Sequence, residues 1–193
     1  MLPGVTDRPR RKVLLADGDG RSAPERARLQ QPVDRQPDEA CNCPVLDATE
    51  WDAVESDWGD ITFLATNINA IAGVPIGLDG AREALFARAA ELGLRVPEDP
   101  MLLISEGAFR RRVLLEVEGD GARSAVVRPG GIAYTRLFEA PWGELKRAAR
   151  RFRNEGEARY GRQPAEVLAW YLTCRVCSRA RNFETLLVAH YPP

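Results

Sequence analysis

From residue 61 onward, apolar positions fall into short runs that alternate between extended and helical spacing. Residues 61–71 (ITFLATNINAI) carry β-branched and aromatic side chains and predict a strand. Gly73, Pro75 and Gly77 then interrupt the chain, and Asp79 is placed to cap a helix over residues 80–92. Ala81, Leu85, Ala89 and Leu92 recur there at helical spacing, which gives one buried stripe. Gly93 ends it. Residues 101–104 and 112–117 predict two strands joined by a turn at Glu106 and Gly107. The succession then returns. Residues 132–138 (IAYTRLF) alternate as a strand, and Pro141 suits a first helical turn. Trp142, Leu145, Ala149 and Phe152 form the apolar face of a helix ending near Arg153. Gly156, Gly161 and Pro164 break the chain before strands over residues 167–172 and 183–191. The order strand, helix, strand, strand thus occurs twice. It predicts an α+β fold of tandem βαββ halves, with helices on one face of an antiparallel sheet.

Residues 1–38 follow neither spacing. They are rich in Arg, Asp, Pro, Gly and Gln, with one apolar cluster at Val13–Leu15. Such a segment buries too little surface to offset its ordering entropy, which predicts a disordered extension before a domain over residues 39–193. In that domain Trp51 and Trp58 flank an acidic turn suited to packing on the domain edge.

With 193 residues, of which 45% are hydrophobic, the chain can bury a core. Its 27 basic and 28 acidic side chains nearly cancel, which argues against nucleic acid as an obligate partner. No apolar run reaches the roughly 18 residues of a membrane span, and the N-terminus lacks an apolar signal core. The expectation is a cytoplasmic protein, a monomer or weak dimer, without a membrane partner.

In a reducing compartment the cysteines acquire meaning. All four lie in short pairs, Cys41 with Cys43 and Cys174 with Cys177. Thiolates paired in this way suit a tetrahedral structural zinc, which would clasp the N-terminal segment to the end of the domain. An iron–sulfur cluster and a redox dithiol at Cys174 and Cys177 are the alternatives. Four sulfurs leave no open position for a catalytic zinc. His190, the one histidine, has no motif partner and reads as structural. Lys146, Arg147, Arg150, Arg151 and Arg153 read as a solvated helix face. Glu118 is read as solvated. Glu116 alternates with Leu115 and Val117, so it faces the side opposite to them. There it could act as a general base.

The strand IAYTRLF, the turn at Pro141 and Trp142, the following helix and the strand ending in Trp170–Tyr171 resemble the GyrI-like family. That family shares a tandem βαββ fold with the SOUL haem-binding proteins. The resemblance covers about residues 61–191 and rests on pattern. Ala140 stands at the family's turn glycine, and Ala169 falls near its strand carboxylate. The resemblance implies a central cleft that binds a small aromatic or cationic molecule. Tyr134, Trp142, Trp170, Tyr171 and Glu106 are the candidate ligand-binding residues, although the same aromatics would serve equally well as core. Some GyrI-like proteins hydrolyse strained electrophiles with cleft glutamates, which makes a hydrolase with Glu116 as base the second reading. A protein-interaction module is the third.

Overall fold

The computed structural model describes Cys43, Leu46 and residues 48–119, 125–141, 143–173 and 175–193. The expected disordered extension, Cys41, Trp142 and Cys174 lie outside the described residues. The first described elements are α1 (Ala48–Trp51) and β1 (Val54–Asp57). Next come β2 (Thr62–Ile71), β3 (Val74–Pro75), α2 (Leu78–Glu91), β4 (Leu102–Ser105) and β5 (Arg110–Val117). The remainder comprises β6 (Val126–Val127), β7 (Ile132–Glu139), α3 (Leu145–Tyr160), β8 (Glu166–Trp170), α4 (Arg175–Ala180) and β9 (Glu184–Tyr191). All the pairings are antiparallel, in the order β1-β7-β9-β8-β4-β5-β2-β3, with β6 also on β2. The α+β class and the antiparallel sheet therefore stand.

Two helical boundaries differ from expectation. Asp79 does not cap α2: Gly77 does, in a left-handed conformation (φ 74°), with Asp79 inside the first turn. There its charge still favours the positive end of the helix. The second helix begins after a turn in which the Glu144 and Leu145 N–H groups donate to the Pro141 carbonyl, and it continues through Gly156 to Tyr160.

The two long helices share one face. Leu85 and Ala89 of α2 pack with Leu64, Leu102, Val113 and Leu115. Ala148, Ala149 and Phe152 of α3 pack with Val167, Ala169, Leu187 and Ala189. The pairing of Ile104 with Ala169 carries that face across the β4–β8 joint. On the other face, Phe63, Leu114, Leu103, Leu168, Val188 and Ala133 form a third buried cluster, one residue from each of six strands.

That cluster is possible because the sheet is rolled. From β1 to β2 there are six inter-strand steps, roughly 29 Å if the sheet lay flat. Yet Asp57 ends β1 and Thr62 begins β2, and five residues of chain reach at most about 18 Å. Residues 128–131 make the same crossing, from β6 to β7. The Trp58 N–H donates to the Gly131 carbonyl at 2.8 Å, tying the two links together. Trp58 lies 5.3 Å from the His190 ring and 5.4 Å from the Phe63 ring, although their strands are four steps apart in the sheet. The helices therefore cover the outer face, and the third cluster fills the inside. Among the described residues no ladder joins β1 to β2, so the sheet remains open in its hydrogen bonding.

Candidate functional site

Glu116 is an acidic side chain that this folding places inside. It sits near the end of β5, beside Phe63 of β2, and is 7% exposed. Its carboxylate accepts from the Met101 N–H at 2.9 Å, while its own N–H donates to the Met101 carbonyl. Strand alternation explains the placement: Leu115 and Val117 face α2, and Leu114 and Glu116 face inward. A buried acceptor among apolar neighbours needs hydrogen-bond donors, and Met101 supplies one.

The other expected site residues are not brought together around it. Tyr134 is buried on the outer face beneath α3, ringed by Phe152 and Tyr160. Its hydroxyl donates to Glu155 at 3.1 Å. Burial and the Glu155 charge push its pKa up to about 12, against the opposing pull of Arg136. Tyr171 packs with the α2 cluster, and its N–H donates to the Leu102 carbonyl at 2.8 Å. Glu106, half-buried, pairs with Arg153 of α3. Trp170 does lie inward, against the third cluster, with Trp51 edge-on at 5.3 Å. The expected cleft is thus occupied by side chains over much of its length. Two surface hollows lie along α2, lined by residues such as Arg82 and Phe86 or Thr66 and Arg88, and neither includes Glu116.

Three inward groups were not singled out as site residues from the sequence. Glu184 of β9 lies on the inner face, two residues from Leu186, at the same end as Glu116. Its Oε2 is buried without a hydrogen-bond partner among the described residues. Burial raises its pKa, the Arg181 charge lowers it and Glu139 raises it further. Trp58 is 1% exposed, and its indole N–H likewise lacks a partner among the described residues. His190 stacks on Trp58, with Nε2 2.8 Å from the Gly130 carbonyl oxygen, consistent with the structural reading. The alternation of β9 could have exposed Glu184. The inward turn of Trp58 depends on the crossing of the chain and has no local signal.

The cysteine segments meet at this same end. Arg181 donates its backbone N–H to the Cys177 carbonyl at 3.1 Å and its guanidinium to the Cys43 carbonyl at 3.4 Å. Cys177 is buried in α4, and Cys43 is half-buried. Elsewhere the basic helix face is partly engaged, since Arg153 meets Glu106 and Arg159 meets Glu55. Glu118 pairs with Arg95 at the surface. Among the described residues no helix is long and apolar enough to cross a membrane.

Compared with known protein families, residues 33–189 match the bacterial hydrolase family. The chain belongs to that family. No curated protein matches it.

Proposed function

We propose that the protein is a hydrolase that adds water to an electrophilic small molecule, with Glu116 as general base. Membership in the bacterial hydrolase family supports the reaction class. The single observation supporting the residue is the buried, inward position of Glu116 at one end of the rolled sheet. In this step Glu116 takes a proton from water, and the water oxygen bonds to the electrophilic carbon. The bond from that carbon to its leaving atom breaks, and the protonated Glu116 returns its proton to the leaving atom. Hydrolysis of a strained ring or an activated ester fits this chemistry.

The test is turnover of a panel of such electrophiles by the wild-type chain and by Glu116→Gln. The amide keeps an acceptor for the Met101 N–H but cannot take the proton. The expected result is a fall in kcat of about a hundredfold or more with an unchanged melting temperature. Equal turnover in the two proteins rejects Glu116 as the base.

A second reading, a GyrI-like module that binds an aromatic or cationic small molecule without turning it over, is favoured by the order of the two halves. In each half the third strand lies between the second and the first: β4-β5-β2 in one, β8-β9-β7 in the other. This equivalence supports a tandem βαββ origin. A compound that raises the melting temperature but is recovered unchanged would select this reading.

A further inference from the structure

Among the described residues, four of the five large apolar side chains that stand exposed belong to one tip of the sheet. They are Ile71, Val74, Ile76 and Phe109, with Ile71 68% and Phe109 82% exposed. We propose that this tip docks the protein on an anionic lipid surface. The apolar side chains enter the headgroup layer, and Arg110 meets the lipid phosphates.

Two turns make the tip. Ile71 and Val74 are cross-strand partners at the hairpin between β2 and β3, where Ala72 and Gly73 both take positive φ, 49° and 84°. Residues 106–109 form the second turn, from β4 to β5. Backbone bonds fasten the two together. The Ala70 N–H donates to the Phe109 carbonyl at 2.8 Å, and the Gly73 N–H donates to the Ala108 carbonyl at 3.2 Å. Arg111, largely buried, joins them again. Its guanidinium donates to the Gly107 and Ser105 carbonyls at 3.1 and 3.2 Å, and to the Gly73 carbonyl across the gap. The exposed side chains are thus presented on a fixed base.

Charge and shape favour a lipid over a protein partner. Residues 61–78 carry no charged side chain, whereas Phe109 is followed by three arginines. Arg112 pairs with Glu166, and Arg110 is exposed. The nearest acids along the chain are Asp79, in the first turn of α2, and Glu106, which is paired with Arg153. Apolar area beside cationic charge is what binds an anionic bilayer surface, and no helix need cross it. The near-zero charge of the whole chain hides this, because the arginines are local to the tip. Four side chains fall far short of the roughly 20 residues a side of a stable protein interface. Pro75 blunts the edge at β3 against strand addition by a second copy. Glu116 lies near the other end of β5, roughly 20 Å from Arg110, so docking is independent of the hydrolase reading.

The experiment sediments the full chain with vesicles of phosphatidylcholine, with and without phosphatidylglycerol. The wild-type chain is expected to bind the mixed vesicles, and to bind more weakly at high salt or to phosphatidylcholine alone. Phe109→Ser combined with Ile71→Ser is expected to lower binding by about tenfold or more, with an unchanged melting temperature. Arg110→Gln is expected to weaken binding to the mixed vesicles and to flatten its salt dependence. Should the double serine variant fold poorly, Arg110→Gln decides. Absence of wild-type binding to either vesicle overturns the proposal, as does equal binding by the wild type and the variants. A dimer in solution that Phe109→Ser dissociates, without vesicle binding, overturns it in favour of a second copy.

Discussion

Gly156 lies in the middle of α3, where a methyl group would fall 2.0 Å from the Tyr191 hydroxyl. As a sequence symbol it reads as a helix breaker. In the fold it is the point where the helix lets the last strand approach. The Tyr191 hydroxyl is itself buried without a hydrogen-bond partner among the described residues. Gly156→Ala should therefore destabilise by about 1–3 kcal/mol through overpacking. Tyr191→Phe should be neutral or stabilising, because it removes an unsatisfied buried hydroxyl. The double variant should exceed the wild type by about 1 kcal/mol, the helical advantage of Ala over Gly. Chemical denaturation of the three variants checks this, and additive single effects would refute it. Residues such as Gly156 and Trp58 were illegible in sequence because their roles depend on partners far along the chain.

At the scale of elements, long segments with one clear spacing were readable. The strand from Thr62 to Ile71 and the helix from Leu78 to Glu91 lie close to where their apolar periods put them. The two-residue strands β3 and β6 carry too few positions to show a period. β1, with sequence VESD, has no apolar face because it sits at the sheet edge on β7. Side-chain contacts hold this region instead. Asp52 accepts from Arg136 Nε at 2.6 Å and from the Leu137 N–H at 2.9 Å, pinning the turn after α1 to β7. On the other side of β1, Glu55 accepts from Tyr160 at 2.6 Å and from Arg159 at 2.7 Å. Burial alone would lower the Arg136 pKa, but Asp52 and Glu155 outweigh it and raise it, so the guanidinium stays charged. Asp52→Ala should cost about 1–3 kcal/mol, since it strips two donors of their shared acceptor. Amide exchange should quicken at Leu137 and across β1 before β9 is affected. Unchanged exchange at Leu137 would remove Asp52 from this role.

For the whole molecule, the sequence conveyed class and sheet type but not the contents of the interior. A tandem order of elements predicts two halves, and a cleft follows if nothing fills the space between them. Trp58, Met101 and their neighbours fill it here. Glu184, at the rim of that interior, gives the molecule a pH dependence. Its pKa is raised in the folded state from the ordinary 4.5, first by burial. Below that ordinary value both folded and unfolded chains hold the proton, and the group costs the fold nothing. As pH rises towards the folded-state value, the unfolded chain ionises first, and stability from this group is lost. Glu184→Gln should therefore melt higher than the wild type at neutral pH, with the gap closing below pH 4.5. Melting curves that run parallel at all pH values would refute this.

The paired crossings at residues 58–61 and 128–131 bear on how far the roll can open. They work as two covalent straps across the seam of the roll, bonded to one another through Trp58 and Gly131. No strand ladder closes that seam, but it cannot gape further than the straps allow. Opening of the filled interior is thereby limited on this side. Beside the start of β9, where Glu184 lies, Arg181 moors the Cys43 segment to α4. That mooring joins two segments 138 positions apart in the chain.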